Sequence, residues 1–387
     1  MLFKDDDFQL RHEDELMLCC ARTKINDEIE KKIISLASMD LDWEYLINMA
    51  SRHRLKPLLY VNLNSICPEY VPEDVLGNLK SYYLANVQKN LMLTGELVKV
   101  MNLLEENDIK CVPYKGPVLA LTAYGSLSLR DFDDLDILIS RDNAIKTKKI
   151  LLKNGYEHKF TINDSHEELY VKTQREYQFY NKENKMLLEI QWKFTTSHFS
   201  SPRDLEYLFD FNSLKKQKNN NINFYGLCVE DIILILCIHN ASHRWMRLAW
   251  LCDIAEVINV QEVDWNKLLL KASNYNIERV LLINLLLSNE ILDLELPNQI
   301  LDKLSDKNVI NISKKVISSF FDKNEKKSIL NQTILRFKIR ENWIMGLKDC
   351  IKLAFLPTPR EWDEFSVSPN FYSFYYLFRL LKLRGRF

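Results

Sequence analysis

Strand-forming patterns are confined to one stretch of this chain, and this confinement limits the fold more than any other feature. Short apolar runs of strand type lie at 109–114, 135–139, 177–180 and 186–194, with helix-forming segments between the first three. Before and after this stretch, the apolar residues recur at helical spacing. The sequence therefore predicts an α+β fold, in which a core with a small mixed sheet is flanked by N-terminal and C-terminal helical regions.

The same change of pattern predicts three regions along the chain. These are a helical region at 1–107, a core at 108–200 and a second helical region at 201–387. In the last region, a helix across Ile232 to Val257 is the strongest expected element. The polar, Asn-rich segment 215–223 predicts an exposed loop.

Glycine is scarce, at 8 of 387 residues. The G-x-G-x-x-G fingerprint and the Walker A loop each need several glycines at fixed spacing, and neither pattern occurs. Any phosphate-binding turn in this chain must therefore depend on single glycines and on charged side chains.

The charge balance and the cysteines limit which partners and which cellular compartment are expected. The 52 Lys and Arg residues nearly balance the 53 Asp and Glu residues, which disfavours a polynucleotide acceptor. Eight cysteines without a C-x-x-C pair indicate reduced thiols. The N-terminus lacks a signal-peptide pattern, and the longest strongly apolar run, Ile232 to Ile238, is too short to span a membrane. We therefore expect a cytoplasmic protein.

The basic C-terminus, Arg379 to Phe387, follows an aromatic run. A packed terminal helix with a solvated basic end is the expected arrangement. Binding to a membrane surface or to a partner is the alternative.

Two aspartates of one predicted strand form the first candidate site. Asp134 and Asp136 are two residues apart, so both side chains point to the same face, where they would repel each other. A divalent cation such as Mg²⁺ relieves such repulsion. An acidic strand end in water is the alternative for an isolated pair. The turn Lys115-Gly116-Pro117 changes this balance, because a lysine and free backbone N–H groups before a helix suit a phosphate.

A third carboxylate is expected on a neighbouring strand. In the run from Met186 to Lys193 the apolar residues alternate with polar ones, which places Glu189 on the polar face. Glu189 then serves as a third metal ligand or as the base that activates an acceptor hydroxyl. A solvated strand face is the alternative. Lys193 shares this polar face and joins the predicted nucleotide-binding residues.

The second candidate group lies in the predicted helix 232–257. His239, His243 and Arg247 follow one another at i, i+4 and i+8, which predicts a polar stripe that faces phosphates. Structural polar contacts, including one between Asp253 and a nearby arginine, are the alternative. Zinc binding is not expected, because no glutamate completes an H-E-x-x-H motif.

The run from Tyr114-Lys115-Gly116-Pro117 to Arg130-Asp131-Phe132-Asp133-Asp134-Leu135-Asp136 resembles the DNA polymerase β-type nucleotidyltransferase superfamily. More narrowly, it is similar to a bacterial family described as uncharacterised nucleotidyltransferases. The narrow resemblance covers most of 40–260 and includes Asp42-Trp43-Glu44, His53-Arg54 and the Glu189-x-x-Trp192 strand. This chain departs from the usual pattern in its Lys-Gly turn, where Gly-Ser is frequent, and in Gln191, where histidine is frequent.

The resemblance implies an enzyme of class EC 2.7.7 that transfers an NMP from an NTP, with ATP expected, to a small-molecule or peptide or protein acceptor. Asp134, Asp136 and Glu189 would be catalytic and would hold Mg²⁺, or Mn²⁺ in its place. The expected nucleotide-binding residues are Lys115, Gly116, Arg130, Lys193, His239, His243 and Arg247. The alternatives are an inactive nucleotide-binding or scaffold protein of the same fold, and a toxin-like enzyme that modifies protein or tRNA.

Overall fold

The computed structural model describes residues 10–194, 214–219, 222–321, 329–356, 358–359 and 362. Their helices and strands follow the predicted order, with helices before and after a small mixed sheet. The predicted α+β fold is confirmed. The predicted C-terminal helix lies outside the described residues.

From residue 10 onward, where the description of the chain begins, five α-helices precede the sheet. They are α1 (His12–Cys20), α2 (Asp27–Ala37), α3 (Trp43–His53), α4 (Lys56–Ile66) and α5 (Glu73–Glu105). The long helix α5 buries Leu93, Leu97, Val100 and Leu104, whose spacing of three and four residues forms one face. This face packs against the sheet, so α5 joins the helical flank to the core.

The core carries a five-stranded sheet and a separate hairpin. Its elements are β1 (Cys111–Pro113), α6 (Gly116–Thr122), β2 (Asp134–Ile139), α7 (Ala144–Lys153), β3 (Tyr156–His158), α8 (Glu167–Thr173), β4 (Glu176–Asn181), β5 (Leu187–Gln191), β6 (Lys215–Asn219) and β7 (Ile222–Gly226). The sheet order is β1-β2-β5-β4-β3, and only β2 and β5 pair in parallel.

The two faces of the sheet differ in polarity because side chains alternate along each strand. Leu135 and Ile137 of β2 point into an apolar cluster with Tyr177 and Phe179 of β4, which α5, α7 and α8 cover. The opposite face presents the carboxylates of β2 and β5. Helix packing on one face therefore leaves the other face for the candidate site.

In the described residues after the hairpin there are eight α-helices. They are α9 (Val229–Ser242), α10 (Ala249–Val260), α11 (Trp265–Asn274), α12 (Glu278–Leu292), α13 (Asn298–Leu301), α14 (Lys307–Phe321), α15 (Ile329–Lys338) and α16 (Trp343–Phe355). Buried residues of α1 to α4 and of α9, α10, α12 and α14 share one apolar cluster. The two helical flanks thus pack together, while the domain boundaries at 107 and 200 remain a prediction.

Two local predictions were wrong. The segment 215–223 lies largely in a hairpin, because Ile222 and Phe224 of β7 face inward and are buried although the β6 lysines are exposed. The single helix expected across 232–257 is two helices, α9 and α10. Arg244 and Trp245 adopt left-handed backbone angles between them, which ends α9.

All eight cysteines are free, and Cys228 is the exposed one. In the part of the chain that the structure describes, no helix combines the length and the apolar character needed to cross a membrane.

A buried asparagine holds the break between α9 and α10 in place. The side-chain oxygen of Asn284 accepts hydrogen bonds from the indole of Trp245 at 2.8 Å and from the amide of Asn240 at 3.0 Å. Asn284 is fully buried. We expect Asn284→Ala to lower the free energy of unfolding by about 2–4 kcal/mol, because two buried donors lose their acceptor. Urea unfolding measures this.

Asn274→Ala, an exposed change at the end of α11, is the matched control and should stay within about 0.5 kcal/mol of the wild type. Equal losses in the two variants would contradict the role given to Asn284.

Candidate active site

Three carboxylates lie on the polar face of the sheet, on the two parallel strands. Asp134 and Asp136 belong to β2, and Asp136 is the direct register partner of Glu189 on β5. Parallel pairing places register partners about 4.8 Å apart on the same face. The register of the two strands therefore brings these three side chains to one face of the sheet.

Amide side chains brace two of these carboxylates. The Gln191 amide donates to Asp136 at 2.9 Å and to Glu189 at 3.0 Å, and its oxygen accepts from the Tyr114 hydroxyl at 2.6 Å. Gln178 of β4 donates to the other oxygen of Glu189 at 2.8 Å. Both oxygens of Glu189 therefore accept a hydrogen bond. The carboxylate of Asp134, by contrast, has no hydrogen-bond or ion-pair partner among the residues that the structure describes.

Burial and mutual repulsion make this group of acids hard to ionise. Burial, with Glu176 and Asp136 as neighbours, raises the pKa of Glu189 to about 8. Burial and the charge of Asp136 also raise the pKa of Asp134. A cation bound beside these acids would favour their ionised forms.

The turn before α6 lies against the start of β2. Gly116 has a left-handed φ of 52°, and a Cβ there would lie 3.4 Å from the backbone oxygen of Asp134. Glycine relieves the backbone strain that another residue would meet at this φ. Lys115 is mostly buried, and its ammonium lies 3.7 Å from Asp136 and 3.0 Å from Nδ1 of His239. The turn thus brings one cation to the acids.

Arg130 makes a bidentate ion pair with Asp253 of α10, at 2.7 and 2.9 Å. The Tyr124 hydroxyl donates to the same carboxylate at 2.8 Å. Arg130 and Asp253 are both buried. The structure therefore places Arg130 in the contact with Asp253 that the sequence offered as the alternative for this region. Its assignment to the nucleotide remains a prediction.

The histidines lie beside Lys115, but the expected single-helix stripe was wrong because α9 ends at Ser242. The rings of His239 and His243 are 4.6 Å apart, and the ring of Trp250 lies 4.8 Å from His239. Burial, with Arg175 and Lys115 nearby, lowers the pKa of His243 to about 4. Burial and Lys115 also hold the pKa of His239 well below its usual range. Both imidazoles are therefore neutral at neutral pH.

Two arginines complete the surroundings. Arg175 pairs with Glu176 at 2.8 Å and lies close enough to the acids and to His243 to influence them. The guanidinium of Arg247 stands 5.2 Å over the ring of Trp250 and has no hydrogen bond or ion pair within the described residues. Arg247 is among the nucleotide-binding residues predicted from the sequence, whereas Arg175 is not, because it belongs to no recognisable motif. Its one signal in the sequence is its position just before a predicted strand.

Lys193 lies just beyond the end of β5, where its ammonium donates to the backbone oxygen of Lys172 at 3.4 Å. Its place in the nucleotide-binding set remains a prediction.

An ion network fixes the loop that leads into β2. Arg54, the residue that caps α3, pairs with Asp131 and Asp133. Lys89 of α5 reaches the same two carboxylates at 2.9 and 2.8 Å. The helical flank thus sets the start of the strand that carries Asp134.

The donor chemistry of the acids fits a hard divalent cation. Asp134 and Asp136 offer carboxylate oxygens, and the carboxylate of Asp134 has no partner within the described residues. No three His, Cys, Asp or Glu side chains of the described ranges already form a metal-ligand group. Glu189 differs from Asp134 in that its two oxygens accept hydrogen bonds from Gln178 and Gln191. Asp134 and Asp136 are therefore the primary candidates for ligands of a divalent cation.

The sequence profile of the family described as uncharacterised nucleotidyltransferase matches residues 39–293. The chain belongs to this family. The match begins before α3 and ends after α12, so it spans the sheet and most of the helices that contact it. No curated protein matches the chain in a sequence comparison.

The buried pair of Arg130 and Asp253 makes a first prediction for the site. We expect Asp253→Asn to lower the free energy of unfolding by about 3–5 kcal/mol, because it leaves a buried guanidinium without its counter-charge. Thermal or urea unfolding measures the loss.

Lys303→Met removes one partner of the exposed pair between Lys303 and Glu278, and it should cost at most about 1 kcal/mol. A small effect of Asp253→Asn, similar to this control, would show that the buried pair does not hold α10 to the core.

Glu189 makes a second prediction. Its pKa of about 8 in the folded protein lies above that of the unfolded chain, about 4.3, so the native state retains a proton that the unfolded state has lost. In metal-free buffer this contribution to stability is full below the unfolded pKa and is lost as pH rises through 8. We expect Glu189→Gln to remove this part of the pH dependence, as measured by urea unfolding across pH.

The exposed change Glu168→Gln should leave the pH profile of the wild type unaltered. A Glu189→Gln profile parallel to that of the wild type would contradict the raised pKa.

Proposed function

We propose that this protein transfers an NMP from an NTP to a small-molecule or peptide or protein acceptor and releases pyrophosphate. The observation that carries the proposal is the carboxylate group of Asp134, Asp136 and Glu189 on adjacent parallel strands, with Lys115 beside it. Membership of a nucleotidyltransferase family supports it.

Asp134 and Asp136 would hold a Mg²⁺ ion, which supplies charge neutralisation for the phosphates when bound. Lys115 and Arg247 are the cations for the triphosphate. His239 and His243 are neutral, so they can offer N–H donors to phosphate oxygens without adding charge. Positioning and charge neutralisation are the main requirements of phosphoryl-type transfer.

In the reaction, the acceptor hydroxyl oxygen forms a bond to the α-phosphorus, and the bond from that phosphorus to the oxygen bridging to the β-phosphate breaks. Pyrophosphate leaves with that oxygen. Glu189 in its ionised form takes the proton of the hydroxyl, and a cation bound beside it would favour that form. Gln178 and Gln191 hold its carboxylate in one orientation.

The acceptor is better sought among small molecules and peptides than among polynucleotides. The formal net charge of the chain is −1, so no overall positive field attracts a polyanion. ATP is the expected donor.

The proposal is tested with the double variant Asp134→Asn/Asp136→Asn. Asparagine keeps the shape of each side chain but removes both charges, so product formation should fall by about hundredfold or more. The assay uses each NTP labelled at the α-phosphate, with Mg²⁺ and extracts that supply acceptors, and follows labelled products and pyrophosphate. Calorimetry measures Mg²⁺-NTP binding in parallel.

Asp142→Asn, an exposed aspartate in the turn after β2, is the matched control and should retain wild-type activity. Unchanged activity and unchanged Mg²⁺-NTP binding in the double variant would refute the site. If the wild type binds no NTP, the scaffold alternative gains.

A further inference from the structure

The ammonium of Lys115 contacts one side chain of the acidic group and one histidine of α9. It lies 3.7 Å from Asp136 and is hydrogen-bonded to Nδ1 of His239 at 3.0 Å. A lysine ammonium has three donors and no acceptor, so Nδ1 of His239 must be the acceptor. His239 therefore anchors Lys115 without competing for its charge.

Among the described residues, Lys115 is the cation in direct ion-pair contact with the aspartate pair. It pairs with Asp136, and both side chains are at most 10% exposed. A buried unit charge is screened far less than one at the surface. The interaction of the ammonium with the two aspartates is therefore strong. A divalent cation bound by the same carboxylates would face repulsion from Lys115 at its present position.

We propose that Lys115 is a stand-in cation, which neutralises the aspartates in the nucleotide-free protein and moves to the triphosphate when metal and nucleotide bind together. The inference rests on the proposed function and deepens it. Lys115 is a positioning residue in the free state and a phosphate ligand in the loaded state.

A coupling between the two ligands follows. Metal alone must displace Lys115 from Asp136 with no new partner for the ammonium, whereas nucleotide supplies that partner. Each ligand then raises the affinity of the other by the same factor, since binding linkage is reciprocal. The free enzyme would thus hold little metal until a nucleotide arrives.

The test measures Mn²⁺ binding to the full chain by electron paramagnetic resonance, with and without an NTP analogue that has a methylene group between the α- and β-phosphates. In the wild type, the analogue should raise the Mn²⁺ affinity about tenfold or more. Lys115→Met removes the competing charge, so it should bind Mn²⁺ alone about tenfold more tightly. The same variant should bind the analogue more weakly and lose most of the coupling.

Three further variants keep the test decisive. Lys115→Gln repeats the loss of charge with a polar side chain, in case Lys115→Met folds poorly. Lys115→Arg keeps the charge and should retain weak binding of Mn²⁺ alone. Lys149→Met, an exposed lysine on α7, should behave as the wild type.

The inference is overturned if neither Lys115→Met nor Lys115→Gln binds Mn²⁺ alone more tightly than the wild type while nucleotide binding by the wild type is normal. In that case the proposed function stands. A wild type that binds no nucleotide overturns the proposed function and, with it, this inference. Opposite shifts of metal and nucleotide affinity in the charge-removing variants support it, since a merely structural role would weaken both.

Discussion

The parallel pairing of β2 with β5 is the constraint on which the rest of the site depends. It sets Asp136 beside Glu189 on one face, at a spacing where two ionised carboxylates repel each other. The neighbouring side chains reduce this repulsion. Gln191 donates to both carboxylates, Gln178 donates to Glu189, and Lys115 supplies a positive charge. The acids are therefore held close together at a cost in free energy that a bound cation would reduce.

The helical flanks keep this arrangement in position. His53 of α3 is fully buried, and both of its ring nitrogens make hydrogen bonds. Nδ1 accepts from the backbone N–H of Leu248, and Nε2 donates to the backbone oxygen of Phe320. Burial lowers the pKa of His53 to about 4, so this neutral form persists at neutral pH. The next residue, Arg54, reaches the loop before β2. One dipeptide of the N-terminal flank thus joins the C-terminal helices to the acidic strand.

The sequence was enough to predict features that depend on local spacing. The shared face of Asp134 and Asp136 follows from strand alternation, and the glycine turn follows from the strand-to-helix pattern around Gly116. Contacts between distant residues were beyond it. The bond between Tyr114 and Gln191 joins residues 77 positions apart, and the break after Ser242 depends on the burial of Trp245 against Asn284. Such contacts are decided by packing, which a periodic pattern does not contain.

Two oppositely charged side chains of the site have no hydrogen bond or ion pair within the described residues, and this bears on which ligand the site can bind. The carboxylate of Asp134 has no hydrogen bond or ion pair there, and neither has the guanidinium of Arg247. Burial and the cation Arg54 lower the pKa of Arg247, while Asp133, Asp131 and Asp134 act in the opposite direction. A simple anion would suit Arg247 alone, and a simple cation would suit Asp134 alone. A metal–triphosphate complex carries both charges in one ligand, which is why the proposed substrate accounts for both side chains.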